Sequence, residues 1–442
     1  MSKNTVALIT AALGLIVGFV LGNRTTAPEP EPGMSEPALV SVAAVPGEKG
    51  GQDIFGAYEP VADWPKPLSG LPQHEQWTWG SAEGVFAESP NRVFILQRGE
   101  LPNIPRPRAR TLPEFGPSIS FPLGGVPFRN ATYSSPPASG GTTQVAEDGV
   151  RLYTAPTDEG GRGFRFDVDA RWEHCLVVAD ADGNIIEEWT QWDSMWKRPH
   201  AIYISPYDPE KHVWVVDDHS HAIFKFTNDG TELVQTIGTP GQLGADETHF
   251  HRPTFIAWLP DGTFFVADGY NGTRVAKFDR DGNFLLDWGQ KGDPPNETRP
   301  GYMNNVHGIA VNPETRRVFV NDRSNKRIQV FDENGTYLDE WSIGEAPAQI
   351  YTIYMGADGY LWGGDYGTSK MVKYDAEGHF QYSWGTRTDY PGGMWGVHQI
   401  SVDQEGNVYV AEVNHGRVQK YRPRQGANPA FLVGQPVYSA WE

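Results

Sequence analysis

The sequence holds a single cysteine, Cys175, among 442 residues. No intrachain disulfide can form, and thiolate metal clusters or a cysteine nucleophile have little material to draw on. Cys175 opens the run Cys-Leu-Val-Val, which reads as a strand carrying a buried, inert thiol. Basic charge is also scarce: 36 Lys and Arg stand against 55 Asp and Glu, a formal net charge of -19. With no basic stripe along the chain, no nucleic-acid partner is expected, because phosphate binding needs clustered cations. The acidic balance otherwise describes a soluble surface. The composition is equally poor for helices. In their place come 50 glycines, 35 prolines and 12% aromatic residues, a mixture suited to short strands, tight turns and large rings packed between sheets.

One apolar run stands at the start. Residues 6–22 carry no charge, follow Lys3 and precede Asn23-Arg24, and are just long enough to span a bilayer. Residues 1–22 are therefore expected to form an anchor left in place, or else a signal segment cut near Val20-Leu21-Gly22. Either way the body is exported, to the periplasm or cell surface. Residues 23–63 are rich in Pro and Glu and read as an extended tether.

From residue 64 onward the chain repeats itself. RPTFIAWLPDGTFFVADGYNGTRVAKFDRDGNFLLDWG from Arg252 matches HGIAVNPETRRVFVNDRSNKRIQVFDENGTYLDEW from His307 and RPHAIYISPYDPEKHVWVVDDHSHAIFKFTNDGTELVQTIG from Arg198. Each is a short strand, a turn, a strand ending in Asp, a polar turn, a third strand, a Gly turn and a last strand. Asp261-Gly262, Asp281-Gly282 and Asn334-Gly335 are strong hairpin signals. Four strands in about 40–55 residues is the pattern of a propeller blade. Further units lie at 348–385 and 396–425. A sixth starts at Ser81 and ends at Trp189, interrupted at about 102–171 by an insertion rich in Pro, Gly and Ser that reads equally as a lid or a mobile loop. The fold expected for 64–442 is an all-β six-bladed propeller, and a monomer is expected.

In such a ring the innermost strand of every blade faces the central channel. Aligning the repeats gives the ring position as Glu83, His200, Thr254, His307, approximately Ile350, and His398. Histidine occupies alternate blades, which places three imidazoles around one axis. Three neutral imidazoles with an open fourth position describe a catalytic-type Zn2+ site; the bland alternative is three channel histidines bonded to water. Elsewhere, His219 and His221 fall at an inter-strand turn read as solvated, and His74, His174, His379 and His415 show no partner and read as surface or structural residues.

DGYNGTRVAKF, NDRSNKRIQVF, RPHAI, NVHGI, GVHQI and FILQRGE together resemble the peptidyl-α-hydroxyglycine α-amidating lyases, which are NHL-type propellers. The resemblance implies cleavage of a peptide ending in α-hydroxyglycine, or a related carbinolamide, into a C-terminal amide and glyoxylate. It implies zinc on His200, His307 and His398, Tyr270 as the catalytic tyrosine, and Arg98 and Arg323 as active-site arginines. The chemistry is coherent: a divalent ion lowers the pKa of a bound hydroxyl, a phenol flanked by cations takes its proton, and guanidinium forks hold the carboxylate of the departing glyoxylate. For Arg98 and Arg323 the structural alternative is a salt bridge to Asp322 or Asp268.

The resemblance also implies a structural Ca2+ on the backbone carbonyls of Val85 and Ile202 and on residue 399. There the family has a carboxylate and this chain has Gln399, which points to a weaker or empty site. The chain departs further in having Gly396 where the family has methionine, in lacking disulfides, and in carrying no monooxygenase half. Two other functions stay open on the sequence: a non-catalytic NHL propeller that binds protein or glycan, and a calcium-dependent lactonase-like hydrolase.

Overall fold

The computed structural model describes residues 54–104, five short strands between 109 and 165, and 167–441 apart from 296, 389 and 438–440. The apolar run at 6–22 and most of 23–63 lie outside the described residues. Among the described residues, no helix is long and apolar enough to cross a membrane.

Six four-stranded antiparallel sheets make up the compact unit Val42–Glu442. Their innermost strands are Trp77–Ser89, Pro199–Ile204, Pro253–Trp258, Val306–Val311, Ile350–Met355 and Val397–Val402. Each of these adjoins the next, and the sixth adjoins the first, which closes a ring of six blades. The sequence pattern explains the layering. In blade three, Pro253–Trp258, Phe264–Asp268 and Arg274–Phe278 are buried at every position, while the outermost strand, Phe284–Trp288, alternates. Continuous apolar runs suit strands covered on both faces, and alternation suits an edge strand. Neighbouring blades interlock through aromatic rings: the Asn334-Gly335 turn of blade four lies on Trp288 of blade three. A Cβ on Gly335 would sit 2.7 Å from the indole, and its φ of +83° also demands glycine.

An acid closes the second strand of blades two to six: Asp217, Asp268, Asp322, Asp365 and Glu412. Each carboxylate accepts a backbone N–H from the segment entering its own innermost strand, such as Arg198 N to Asp217, His251 N to Asp268, Asn304 N to Asp322 and Trp395 N to Glu412. The strand-ending acid of blades two to six is therefore the pin that fixes how their innermost strands begin. That is the end of the blade where the histidines lie.

Blade one is split as the repeats imply. Arg92–Pro102 pairs directly with Leu176–Ala179, and the chain between them forms a two-stranded sheet and a three-stranded sheet of its own. Most of the insertion lies outside the described residues, and so does the question of a lid. The ring begins earlier than residue 64. Tyr58–Pro60 pairs with Arg417–Pro423 and supplies the fourth strand of blade six. Three residues ending in proline carry no period to read; Pro60 is tolerated because an edge strand can do without one N–H.

Candidate functional site

Each innermost strand breaks register at its ring position, close to its first residues in blades two to six and midway along the longer strand of blade one. The breaks fall between Ala82 and Gly84, Pro199 and Ala201, Pro253 and Ile256, Val306 and Ile309, Ile350 and Thr352, and Val397 and Gln399. A bulge of this kind re-aims a side chain out of the alternation of its strand. The residues so released are Glu83, His200, Thr254, His307, Tyr351 and His398. The blade-five position is thus Tyr351 and not Ile350, which is buried in the core between blades four and five. A shift of one residue along a strand exchanges its two faces, and the loop before Ile350 offers no landmark to fix the count.

His200, His307 and His398 converge. Their rings lie 4.5–5.3 Å apart, and one nitrogen from each falls within 4.8 Å of the others. Each Nδ1 meets a main-chain carbonyl: Thr254 O at 3.0 Å, Tyr351 O at 2.7 Å and Glu83 O at 2.6 Å. A carbonyl only accepts, so each Nδ1 carries the proton and each Nε2 presents a lone pair. The three anchoring carbonyls belong to the ring residues of the alternate blades. Phe255 packs against all three imidazoles at 5.1–5.5 Å.

Tyr270 enters from the turn after Asp268, with its hydroxyl 3.1 Å from Nε2 of both His200 and His307. Its ring is flanked by guanidinium groups: Arg252 at 4.4 Å, Arg323 at 5.1 Å and Arg198 at 5.7 Å. Arg323 also lies 4.4 Å from the Tyr351 ring, and its buried Nε and Nη1 have no hydrogen-bond partner among the described residues. Arg98 pairs through Nη1 with Glu83 Oε1 at 3.0 Å, and its buried Nε is likewise unpaired. The blade acids are engaged elsewhere, Asp268 by Arg274 and Asp322 by Arg327, so neither holds the two arginines.

Electrostatics reinforce the arrangement. Burial, then the charges of His398, Arg98 and Arg198, hold His200 well below the usual imidazole range. Burial and Arg323 do the same for His307, and His398 is brought down to about 3 by burial, Arg98 and Arg323 against the pull of the Glu83 carbonyl. Glu83 is raised by burial despite Arg98 and Ser81. Burial would raise Asp218 as well, but Arg198, His219 and Arg252 hold it well below the carboxylate range.

His219 is not on a solvated turn. Its side chain is buried, with Nε2 3.0 Å from Arg198, and it is lowered to about 2 by burial, Arg198 and Arg252, which outweigh Asp218. His74 and His174 are buried too, both against Glu100. Arg198 and Arg252 escaped the sequence reading although a signal existed: each stands directly before the proline that opens its innermost strand.

The donor set fits a metal ion. Three Nε2 lone pairs meet at the axis with one hydroxyl hydrogen between them, and Glu83 Oε2 lies 3.6 Å from His398 Nε2. That leaves acceptors facing one another in a buried space, an arrangement a cation resolves. The calcium expectation fares differently. Gln399 Oε1 accepts from Ile202 N at 3.2 Å and Nε2 donates to Ile202 O at 2.8 Å. The amide is engaged with the Ile202 backbone and adds no negative charge, which is in keeping with a weaker or empty site at Val85, Ile202 and Gln399. Gln399→Ala is expected to lower stability by about 1–3 kcal/mol, the cost of leaving buried backbone groups unpaired, while calcium or its chelation leaves the urea midpoint unmoved; denaturant titrations of both proteins with and without calcium check this.

Gly269 is the one residue between Asp268 and Tyr270. A Cβ there would meet Val306 O at 1.3 Å, against the backbone that carries His307. Gly269→Ala must push the tyrosine turn away from the histidine strand. If the channel is catalytic, a displacement of about 1 Å costs on the order of a hundredfold in rate, and steady-state kinetics should register a loss of that size with the fold preserved by circular dichroism.

A six-bladed propeller with a histidine, tyrosine and arginine cluster in its channel is the class that fold and site define. No family model matches the chain, but curated proteins do. Peptidyl-alpha-hydroxyglycine alpha-amidating lyase 1 of Drosophila melanogaster is 30% identical over 281 residues, covering 58% of this chain and 50% of that protein. Human NHL repeat-containing protein 3 is 30% identical over 273 residues, 58% of this chain and 75% of that one. Peptidyl-glycine alpha-amidating monooxygenase A of Xenopus laevis is 28% identical over 269 residues, 57% of this chain and 27% of that one. The chain belongs to the NHL-repeat family and is similar within it to the amidating lyases. It spans from about a quarter to half the length of the first curated relatives it matches. Virginiamycin B lyase from Staphylococcus aureus aligns at a TM-score of 0.42 and 14% identity, covering 78% of this chain and 98% of that one, a likeness too slight to bear on function.

Proposed function

We propose that the channel is the active site of a metal-dependent carbon–nitrogen lyase that cleaves peptidyl-α-hydroxyglycine, or a related carbinolamide, to an amide and glyoxylate. One observation carries the reading: three proton-free Nε2 atoms share the channel with a tyrosine hydroxyl, beneath two arginines with unfilled N–H groups. Zn2+, when held by His200, His307 and His398, supplies a Lewis acid toward the substrate hydroxyl. Tyr270 takes the hydroxyl proton; its ring is held among the guanidinium groups of Arg198, Arg252 and Arg323. As that O–H bond breaks, the carbonyl of glyoxylate forms, the C–N bond breaks, and Tyr270 passes the proton to the departing amide nitrogen. Arg323 and Arg98 hold the carboxylate through the substrate and the product alike. Burial of the channel excludes water and strengthens each of these interactions. Export of a monomeric domain past a membrane-bound N-terminus completes the proposal.

The test is direct: zinc-loaded protein incubated with a hydroxyglycine peptide releases glyoxylate and the amide in equal amounts, and no release sinks the reading. A non-catalytic scaffold draws support from relatives named only for their NHL repeats; it predicts that binding maps to the blade loops and ignores Tyr270. The lactonase reading is poorly supported, since the one carboxylate of the ring, Glu83, is already paired with Arg98.

A further inference from the structure

A second histidine cluster lies on blade one, outside the channel. His74 sits in the loop that leads into Trp77–Ser89, Glu100 in Arg92–Pro102, and His174 just ahead of Leu176–Ala179. Each Glu100 oxygen meets a different imidazole: Oε2 is 2.8 Å from His74 Nδ1, and Oε1 is 2.5 Å from His174 Nδ1. The rings stand edge to face at 4.6 Å, and one donor atom from each of the three residues lies within 4.8 Å of the others. All three residues are buried, Glu100 completely. Two more carboxylates stand behind the imidazoles, Glu188 at 3.1 Å from His174 Nε2 and Glu173 at 3.7 Å from His74 Nε2. Among the described residues the cation beside them is Arg171, with Nη1 3.4 Å from His74 Nδ1; it is turned over the Trp77 ring and lies 3.7 Å from Glu173. Burial would lower His174, but its bonds to Glu100 and Glu188 raise it to about 9, so a metal must displace a proton there; three carboxylates against Arg171 and one imidazolium still leave this pocket anionic.

We infer that His74, Glu100 and His174 form a second metal site, for Zn2+ or a similar divalent transition ion, that clasps the base of the blade-one insertion. Two imidazoles and one carboxylate are a zinc-type donor set. Binding takes up the metal and releases to solvent whatever protons the Nδ1 atoms carry. The position gives the ion its task. Glu100 and Arg171 exchange both backbone hydrogen bonds, at 2.7 and 2.9 Å, so the chain departs and returns at one point. The three ligands come from the departing strand, the returning strand and the loop beneath them. An ion bridging them closes a long excursion, which is where a clip removes most freedom from the unfolded chain.

The test uses metal analysis of the full chain after zinc loading and gel filtration. Wild type should carry two equivalents, His307→Ala one, Glu100→Gln one, and the double variant none. In the His307→Ala background, zinc should also slow amide exchange at residues 97–101 and 171–176 by about tenfold relative to chelated protein, an effect that Glu100→Gln abolishes. Should Glu100→Gln fail to fold, His74→Gln, in the lead-in loop, takes its place. The inference is overturned if His307→Ala holds no metal, or if zinc leaves exchange at those residues unchanged. Neither readout depends on lyase activity, so the channel proposal and this one fail separately.

Discussion

His307→Ala is expected to cost the protein the channel metal and to lower release of glyoxylate from a hydroxyglycine peptide by about a thousandfold or more, since even an outer-shell partner of a metal ligand typically costs 10–100-fold. The residue owes its position to a backbone bulge and to one carbonyl, Tyr351 O. Its strand stays in the ladder of blade four when the ring is removed, because Val306 and Ile309 to Val311 keep their partners. The loss should therefore fall on chemistry before fold: two imidazoles and the Tyr270 hydroxyl remain, but no third nitrogen completes the site. Metal analysis should show one equivalent fewer than wild type, with the thermal midpoint close to wild type in the presence of chelator. Undiminished turnover in the variant would remove the metal from the mechanism.

Tyr270→Phe separates the proton from the metal. The hydroxyl lies 3.1 Å from two ligand nitrogens, and the ring is held by the guanidinium groups of Arg252 and Arg323. Phenylalanine keeps the ring and its packing and deletes only the oxygen. If that oxygen is the base, kcat should fall by about 10²–10⁴, the usual contribution of a positioned proton acceptor, with metal content and KM nearly unchanged. A contrasting result is expected for Arg323→Lys, where a point charge replaces a fork and KM rises more than kcat falls. Metal content lost along with kcat in Tyr270→Phe would make the tyrosine a support for the ion and not a base.

Six blades were legible because turns and strand ends repeat: Asp-Gly and Asn-Gly pairs punctuate the strands, and an acid ends the second strand of blades two to six. The three ring histidines were legible for the same reason, as one register position sampled in alternate repeats. The same logic slipped at Tyr351, where a bulge moves the phase by one residue and the preceding loop supplies no check. The closing strand at Tyr58–Pro60 is too short to show a period and takes its identity from Arg417–Pro423, more than three hundred residues away. His74 and His174 offered nothing local either, since both find Glu100 across a sheet, 26 and 74 residues distant. Arg198 and Arg252 could have been found, because they repeat before Pro199 and Pro253. What sequence patterns miss here is side-chain company assembled from segments far apart in the chain.

Because the three imidazoles are oriented by the main chain of Thr254, Tyr351 and Glu83, no side chain at those positions has to supply the orienting acceptor. Exchange of any of them alters what lines the channel without taking away an orienting acceptor. The lining of the channel can thus vary, under natural variation or in the laboratory, while the three imidazoles keep the carbonyls that orient them.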